Sequence, residues 1–171
     1  DFYRNIPYGP LDRNRVDLWL APSDEPTPIA IYIHGGGFRQ GDKDQVYNEG
    51  ILRPLLKRGI SVAAITYRWA HRDVDLALEA VKPNGAGNEH DVDGARVDYI
   101  LRDCARAVQF LRYKKVEYNL DSSRFAAFGG SAGGGCSVWI GTVPDLAEPE
   151  HEDPVLRESS RLLAMGHLNS Q

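Results

Sequence analysis

Arg124-Phe125-Ala126-Ala127-Phe128-Gly129-Gly130-Ser131-Ala132-Gly133-Gly134 decides the fold. A run of strand length ends in a glycine-rich turn, and Ala132 to Val143 continues with small apolar residues, as a buried helix does. Ser131 therefore lies in Gly-x-Ser-x-Gly at a strand-to-helix turn. The flanking glycines let the backbone turn too sharply for residues with a Cβ, which holds the hydroxyl exposed. Upstream, Pro28 to Ile33 is uniformly apolar, as expected of a strand covered on both faces. It runs into His34-Gly35-Gly36-Gly37-Phe38, a loop whose backbone N–H groups suit a developing oxyanion. Together the two turns predict acyl transfer at Ser131, with His34 bracing its loop by hydrogen bonding.

Working outward, strands and helices alternate. Arg15 to Leu20 largely alternates polar and apolar and is expected to form an antiparallel edge with Phe2 to Pro7. Ser61 to Tyr67 reads as a second central strand. Between the central strands, Val46 to Arg58 reads as one helix carrying Ile51, Leu52, Leu55 and Leu56 at helical spacing. It ends at Gly59 and is kinked at Pro54. Further on, Val97, Ile100, Leu101, Cys104, Ala105, Val108 and Leu111 share one helical face, and the charges of Arg102, Asp103 and Arg106 are expected to fall away from it. Asp153-Pro154 predicts the start of a short helix. Leu162 to Asn169 predicts a last strand. The expected class is α/β, a three-layer sandwich around a mostly parallel sheet of about six strands.

Composition narrows the function classes. With 171 residues, 42% hydrophobic and 26% charged, the chain reads as an ordinary globular sequence with a real core. Its 24 acidic and 20 basic residues give a charge of −4 without a basic stripe, which argues against nucleic acid as a partner. No apolar run approaches the roughly 18 residues of a membrane span. Asp1-Phe2-Tyr3-Arg4 has no signal-peptide anatomy, so a cytoplasmic location is expected unless the start has been trimmed. Cys104 and Cys136 are too few for a disulfide framework and read as small core residues. No cofactor is called for, the expected partner is a small molecule, and the oligomeric state stays open. Ala70 to Gly94 reads as an inserted loop, either a partial lid over the site or a solvated surface loop. Within it His71, Asp73, His90, Asp91 and Asp93 lack zinc spacing, so no metal is expected.

The chain resembles the α/β-hydrolase fold, and within it the hormone-sensitive-lipase-like carboxylesterases. The resemblance rests on His34-Gly35-Gly36-Gly37-Phe38, Gly41-Asp42-Lys43, Tyr67-Arg68, Arg102 to Arg112 and Gly129 to Gly134. It implies attack of the Ser131 hydroxyl on an ester carbonyl, with the oxyanion held by N–H groups at Gly36, Gly37 and Ala132. It also implies a small or short acyl group. Two departures stand out: Gly130 occupies a position where that group commonly has Asp, and the two motifs are farther apart here.

The implied order is Ser, then an acid, then His, yet only 40 residues follow Ser131. His151 reads as part of a surface loop and His167 as part of the last strand, so neither is assigned as base. Residues 1–171 are therefore expected to be the N-terminal portion of a single hydrolase domain, with the triad acid and base beyond Gln171. Two other readings stay open. One is a hydrolase-like binding scaffold without catalysis. The other is an NADP-binding unit built on Gly35-x-Gly37-x-x-x-Gly41, with Arg68 taking the 2′-phosphate.

Overall fold

The computed structural model describes residues 1–70 and 96–168. Its elements in chain order are β1 (Phe2–Pro7), β2 (Arg15–Trp19), β3 (Thr27–Ile33), a 3₁₀ helix (Lys43–Tyr47), α1 (Leu52–Lys57), β4 (Ser61–Ile65), α2 (Val97–Tyr113), β5 (Leu120–Gly130), α3 (Ala132–Thr142) and β6 (Ala164–Leu168). They form one six-stranded sheet in the order β1-β2-β4-β3-β5-β6. The β1–β2 and β2–β4 pairs are antiparallel, and the pairs β4–β3, β3–β5 and β5–β6 are parallel.

Period-two alternation divides each central strand between two cores. Ile29, Ile31, Ile33, Ala63 and Ile65 face α2 and α3, where Ile100, Val108, Leu111, Cys136 and Ile140 complete the larger cluster. Tyr32, Val62 and Ala64 face the other way, under Val46, Leu52, Leu55 and Leu56. A sheet covered on both faces needs uniformly apolar central strands, which is what β3 and β4 supply. The architecture is α/β with three layers, as the sequence predicts.

Four local expectations are corrected. The helix expected over Val46 to Arg58 is two pieces, because Gly50 takes φ +67° between the 3₁₀ turn and α1. Pro54 causes no kink: Ile51 is the N-cap, so Pro54 falls in the first turn, where N–H groups lack helical partners anyway. No helix begins at Asp153-Pro154. Asp153 instead closes a turn, its side chain accepting from the Val155 amide at 3.0 Å. Asp103, expected on the solvent side of α2, is buried because Arg68 reaches it from the exit of β4.

Strand β6 meets α3 along a line of small residues. A Cβ on Gly134 would lie 2.1 Å from His167 Cδ2, and one on Gly141 2.1 Å from Met165 Sδ. Between them the Ser137 hydroxyl donates to the Gly166 carbonyl at 2.8 Å. Residues 71–94 of the expected lid, and the candidate metal ligands within it, lie outside the described residues. Among the described residues, no helix is long and apolar enough to cross a membrane.

Candidate active site

In an open parallel sheet a ligand crevice forms at the carboxyl ends of adjacent strands whose connections leave in opposite directions. Here those strands are β3 and β5. From β3 the chain crosses to β4 on one side, and from β5 it crosses to β6 on the other. Ile33 is in register with Gly129, so the two glycine-rich turns emerge side by side.

The turn after β5 is built around one carbonyl. A Cβ on Gly129 would lie 2.1 Å from the Ile33 oxygen, and a Cβ on Gly133 only 1.9 Å from it. Both glycines of Gly-x-Ser-x-Gly are thus required by the close approach of β3 to this turn. Ser131 between them is exposed, with φ 49° and ψ −121°. That region of backbone space is almost confined to glycine and costs about 1–3 kcal/mol for a residue with a side chain. Ser131 caps α3, which places its hydroxyl at the positive end of the helix dipole. Among the described residues none hydrogen-bonds that hydroxyl.

The turn after β3 runs beside it. A Cβ on Gly35 would lie 3.0 Å from the Gly130 oxygen and 3.6 Å from Ser131 Cβ. Gly36 has φ +120°, and its carbonyl accepts the amides of Arg39 at 3.1 Å and Gln40 at 3.2 Å, which curls the loop back on itself. Gly37 takes φ +60° and Phe38 φ 62°. Among the described residues, none accepts a hydrogen bond from the N–H of Gly36, Gly37 or Ala132.

His34 is fully buried under this loop. Its Nδ1 lies 2.7 Å from the Gly35 carbonyl oxygen, a contact that only a protonated Nδ1 makes favourable. Burial pushes its pKa down to about 4, so the imidazole is neutral near pH 7 and Nε2 carries the lone pair. Tyr67 stacks on that ring with centroids 4.2 Å apart and donates its hydroxyl to the His34 carbonyl at 2.7 Å.

His151 Nδ1 accepts the Asp153 amide at 2.9 Å within the turn after α3. His167 is exposed on β6 over Gly134. Cys104 and Cys136 are buried and free. The fork of Arg68 is engaged by Asp103 through Nε and Nη2, both at 2.8 Å, which argues against a nucleotide-phosphate role for it.

Three residues of this region have roles that no motif announces. Arg13, in the β1–β2 hairpin, donates from Nε to the Tyr67 carbonyl at 2.8 Å and from Nη2 to the Gly41 carbonyl at 3.1 Å. Asp17, the one acidic residue of β2, is fully buried, with Lys43 Nζ 3.6 Å from its Oδ2. Tyr67 binds His34 as described. Tyr67 belongs to a stretch that carries the resemblance, Asp17 is signalled only as an acidic residue at an inward strand position, and Arg13 has no signal in the sequence.

Several known proteins are similar to this chain. Kynurenine formamidase from Danio rerio is 35% identical over 81 residues, 46% of this chain and 27% of that protein. A probable isoprenylcysteine alpha-carbonyl methylesterase, ICMEL1, from Arabidopsis thaliana is 26% identical over 162 residues, 94% of this chain and 29% of that protein. The chain therefore spans less than a third of the length of these relatives. Among solved structures, an acetyl ester-xyloside bifunctional hydrolase from Caldicellulosiruptor lactoaceticus superposes with a TM-score of 0.67 at 25% identity, covering 90% of this chain and 47% of that one. The BD-FAE family model matches residues 16–79 and 91–162. The family matched is thus BD-FAE, where the motifs alone had suggested the hormone-sensitive-lipase-like group. Because that match spans both glycine-rich turns and the strands that launch them, the chain belongs to the BD-FAE family, on an α/β-hydrolase fold.

Proposed function

We propose that this chain carries the nucleophile and the oxyanion hole of a serine ester hydrolase. The observation that carries the reading is Ser131, exposed at the start of α3 with φ 49° and flanked by glycines that the Ile33 carbonyl leaves no alternative. Strain held at an exposed hydroxyl, at the carboxyl ends of two parallel strands, is what a nucleophile requires and a plain turn does not.

In this reading Ser131 Oγ attacks the ester carbonyl while its proton passes to a general base outside the described residues. The carbonyl oxygen becomes an oxyanion received by the N–H groups of Gly36, Gly37 and Ala132. Collapse of the tetrahedral species expels the alcohol and leaves an acyl group on Ser131, which water then removes. His34 keeps the glycine loop in shape: neutral, buried and donating to Gly35, it is unsuited to be the base. The esterase relatives support ester substrates, and small or short acyl groups are the first to try. Similarity to a formamidase over 81 residues adds N-formyl arylamines to that panel, since the same acyl chemistry cleaves them.

The test uses the natural full-length protein with p-nitrophenyl acetate and an N-formyl arylamine, with and without Ser131→Ala. The expected result is a fall in kcat of about 10⁴-fold or more in the variant. A phosphonate adduct on the Ser131 peptide should also form in wild type only. Equal rates for serine and alanine, with no adduct, would overturn the proposal and leave the binding-scaffold reading in its place.

A further inference from the structure

The glycine loop after β3 is held by more than its own turns, and one side chain from outside both motifs reaches the two places that matter. Arg13 lies in the hairpin between β1 and β2, far in sequence from Ser131, and its side chain is 17% exposed. Its Nε donates to the carbonyl of Tyr67, whose ring and hydroxyl both contact His34. Its Nη2 donates to the carbonyl of Gly41, at the return of the glycine loop. The guanidinium also lies 4.0 Å over the Trp69 ring, and Nη1 is 4.0 Å from Asp42 Oδ2.

Gly41 is the sensitive partner. At φ +103°, a Cβ on it would lie 2.3 Å from the Gly35 oxygen and 2.6 Å from His34 Nδ1. The backbone of Gly41 is therefore pressed against the same Gly35 peptide that stands beside Gly130 and Ser131. A displacement of Gly41 moves Gly35, and with it the amides of Gly36 and Gly37. One planar fork joins the return of the loop to the exit of β4, so the loop is clamped between two fixed points. A lysine, with one point donor, cannot make both bonds in that geometry.

We infer that Arg13 is a positioning residue for the oxyanion loop, acting through Gly41 and Tyr67 without touching the substrate. The inference rests on the ester-hydrolase reading of Ser131. Misplacing preorganised donors by a fraction of an ångström lowers the rate of the chemical step and leaves ground-state binding largely intact.

The experiment compares Arg13→Lys, Arg13→Met and Ser131→Ala in the full-length enzyme, with kcat and KM measured separately on p-nitrophenyl acetate. Unfolding midpoints are recorded for each. The expected result is a loss of about 10- to 100-fold in kcat for Arg13→Met, a smaller loss for Arg13→Lys, and KM within about 3-fold of wild type. The phosphonylation rate of Ser131 should fall in parallel with kcat, which a change in stability alone would not produce. If Arg13→Met does not fold, Arg13→Lys decides by the same two readouts. Wild-type kcat and phosphonylation in folded Arg13 variants, with Ser131→Ala dead, would overturn the role of Arg13 alone. Activity surviving Ser131→Ala would instead remove the reading on which it rests.

Discussion

The Tyr67 hydroxyl donates to the main-chain carbonyl of His34 at 2.7 Å, while its ring lies nearly parallel to the His34 imidazole, 13° from it and 4.2 Å between centroids. One aromatic residue at the exit of β4 thus fixes both the backbone and the side chain of the residue that opens the glycine loop. Tyr67→Phe keeps the stacking and strips a buried carbonyl of its donor. Its expected cost is about 1–3 kcal/mol in urea denaturation, together with a lower kcat.

Glycines of α3 separate sharply by environment. Gly133 has no room for a Cβ, because the Ile33 carbonyl would lie 1.9 Å away, whereas nothing lies within 4 Å of a Cβ on Gly135. Gly133→Ala should therefore push α3 off β3, abolishing phosphonate labelling of Ser131 and lowering the urea midpoint. Gly135→Ala, in a helix and without conflict, should raise stability by about 0.5–1 kcal/mol.

Asp17 and Lys43 form an ion pair with almost no access to water: the side chains are 0% and 7% exposed. Asp17 Oδ1 accepts the Asn5 amide at 2.7 Å, but Oδ2 has no hydrogen bond among the described residues and faces two charges, buried Lys43 at 3.6 Å and exposed Arg4 at 4.0 Å. Lys43→Met should cost on the order of 3 kcal/mol, because it leaves the buried carboxylate with only the exposed Arg4 as a counter-charge. The double variant Asp17→Asn/Lys43→Met should recover much of that loss in the same denaturation experiment.

His34 makes stability depend on pH. Its pKa is near 4 when folded, against 6.5 in the open chain, chiefly because burial opposes the charge. Between those values the unfolded chain binds the extra proton, so stability is complete above pH 6.5 and falls as the pH drops toward 4. The part due to His34 is on the order of 3 kcal/mol across that window. Denaturation curves at pH 7 and pH 5 should lie closer together for His34→Asn than for wild type, since an amide can donate to Gly35 and does not titrate.

Legibility in the sequence followed the range of the interactions. The central strands, α2 and α3, and the glycine-rich turn at Ser131 were readable because their signals are local: an apolar run, a 3.6-residue period, a glycine next to a strand end. Asp103 was misplaced because its burial depends on Arg68, 35 residues away. A helical period assigns a charged residue to solvent unless its partner is known. The split of the first helix was missed because Gly50 acts through its backbone angle, which leaves the leucine spacing of α1 intact. Arg13 was invisible for a related reason, since its value lies in two carbonyl oxygens, and backbone acceptors leave no trace in a sequence.

The strained backbone at Ser131 bears on how such a protein changes over generations. Glycine tolerates φ 49° and ψ −121° far better than serine does, so a change to glycine there relaxes the fold while deleting the hydroxyl. Where the chemistry is under selection, that relaxation is closed to the lineage. Where no chemistry depends on the hydroxyl, its loss to glycine relieves the fold. On the proposed reading of Ser131, descendants of this chain without hydrolysis should drift toward glycine at position 131 early, while the neighbouring Gly129 and Gly133, which the Ile33 carbonyl requires, persist as the mark of what stood between them.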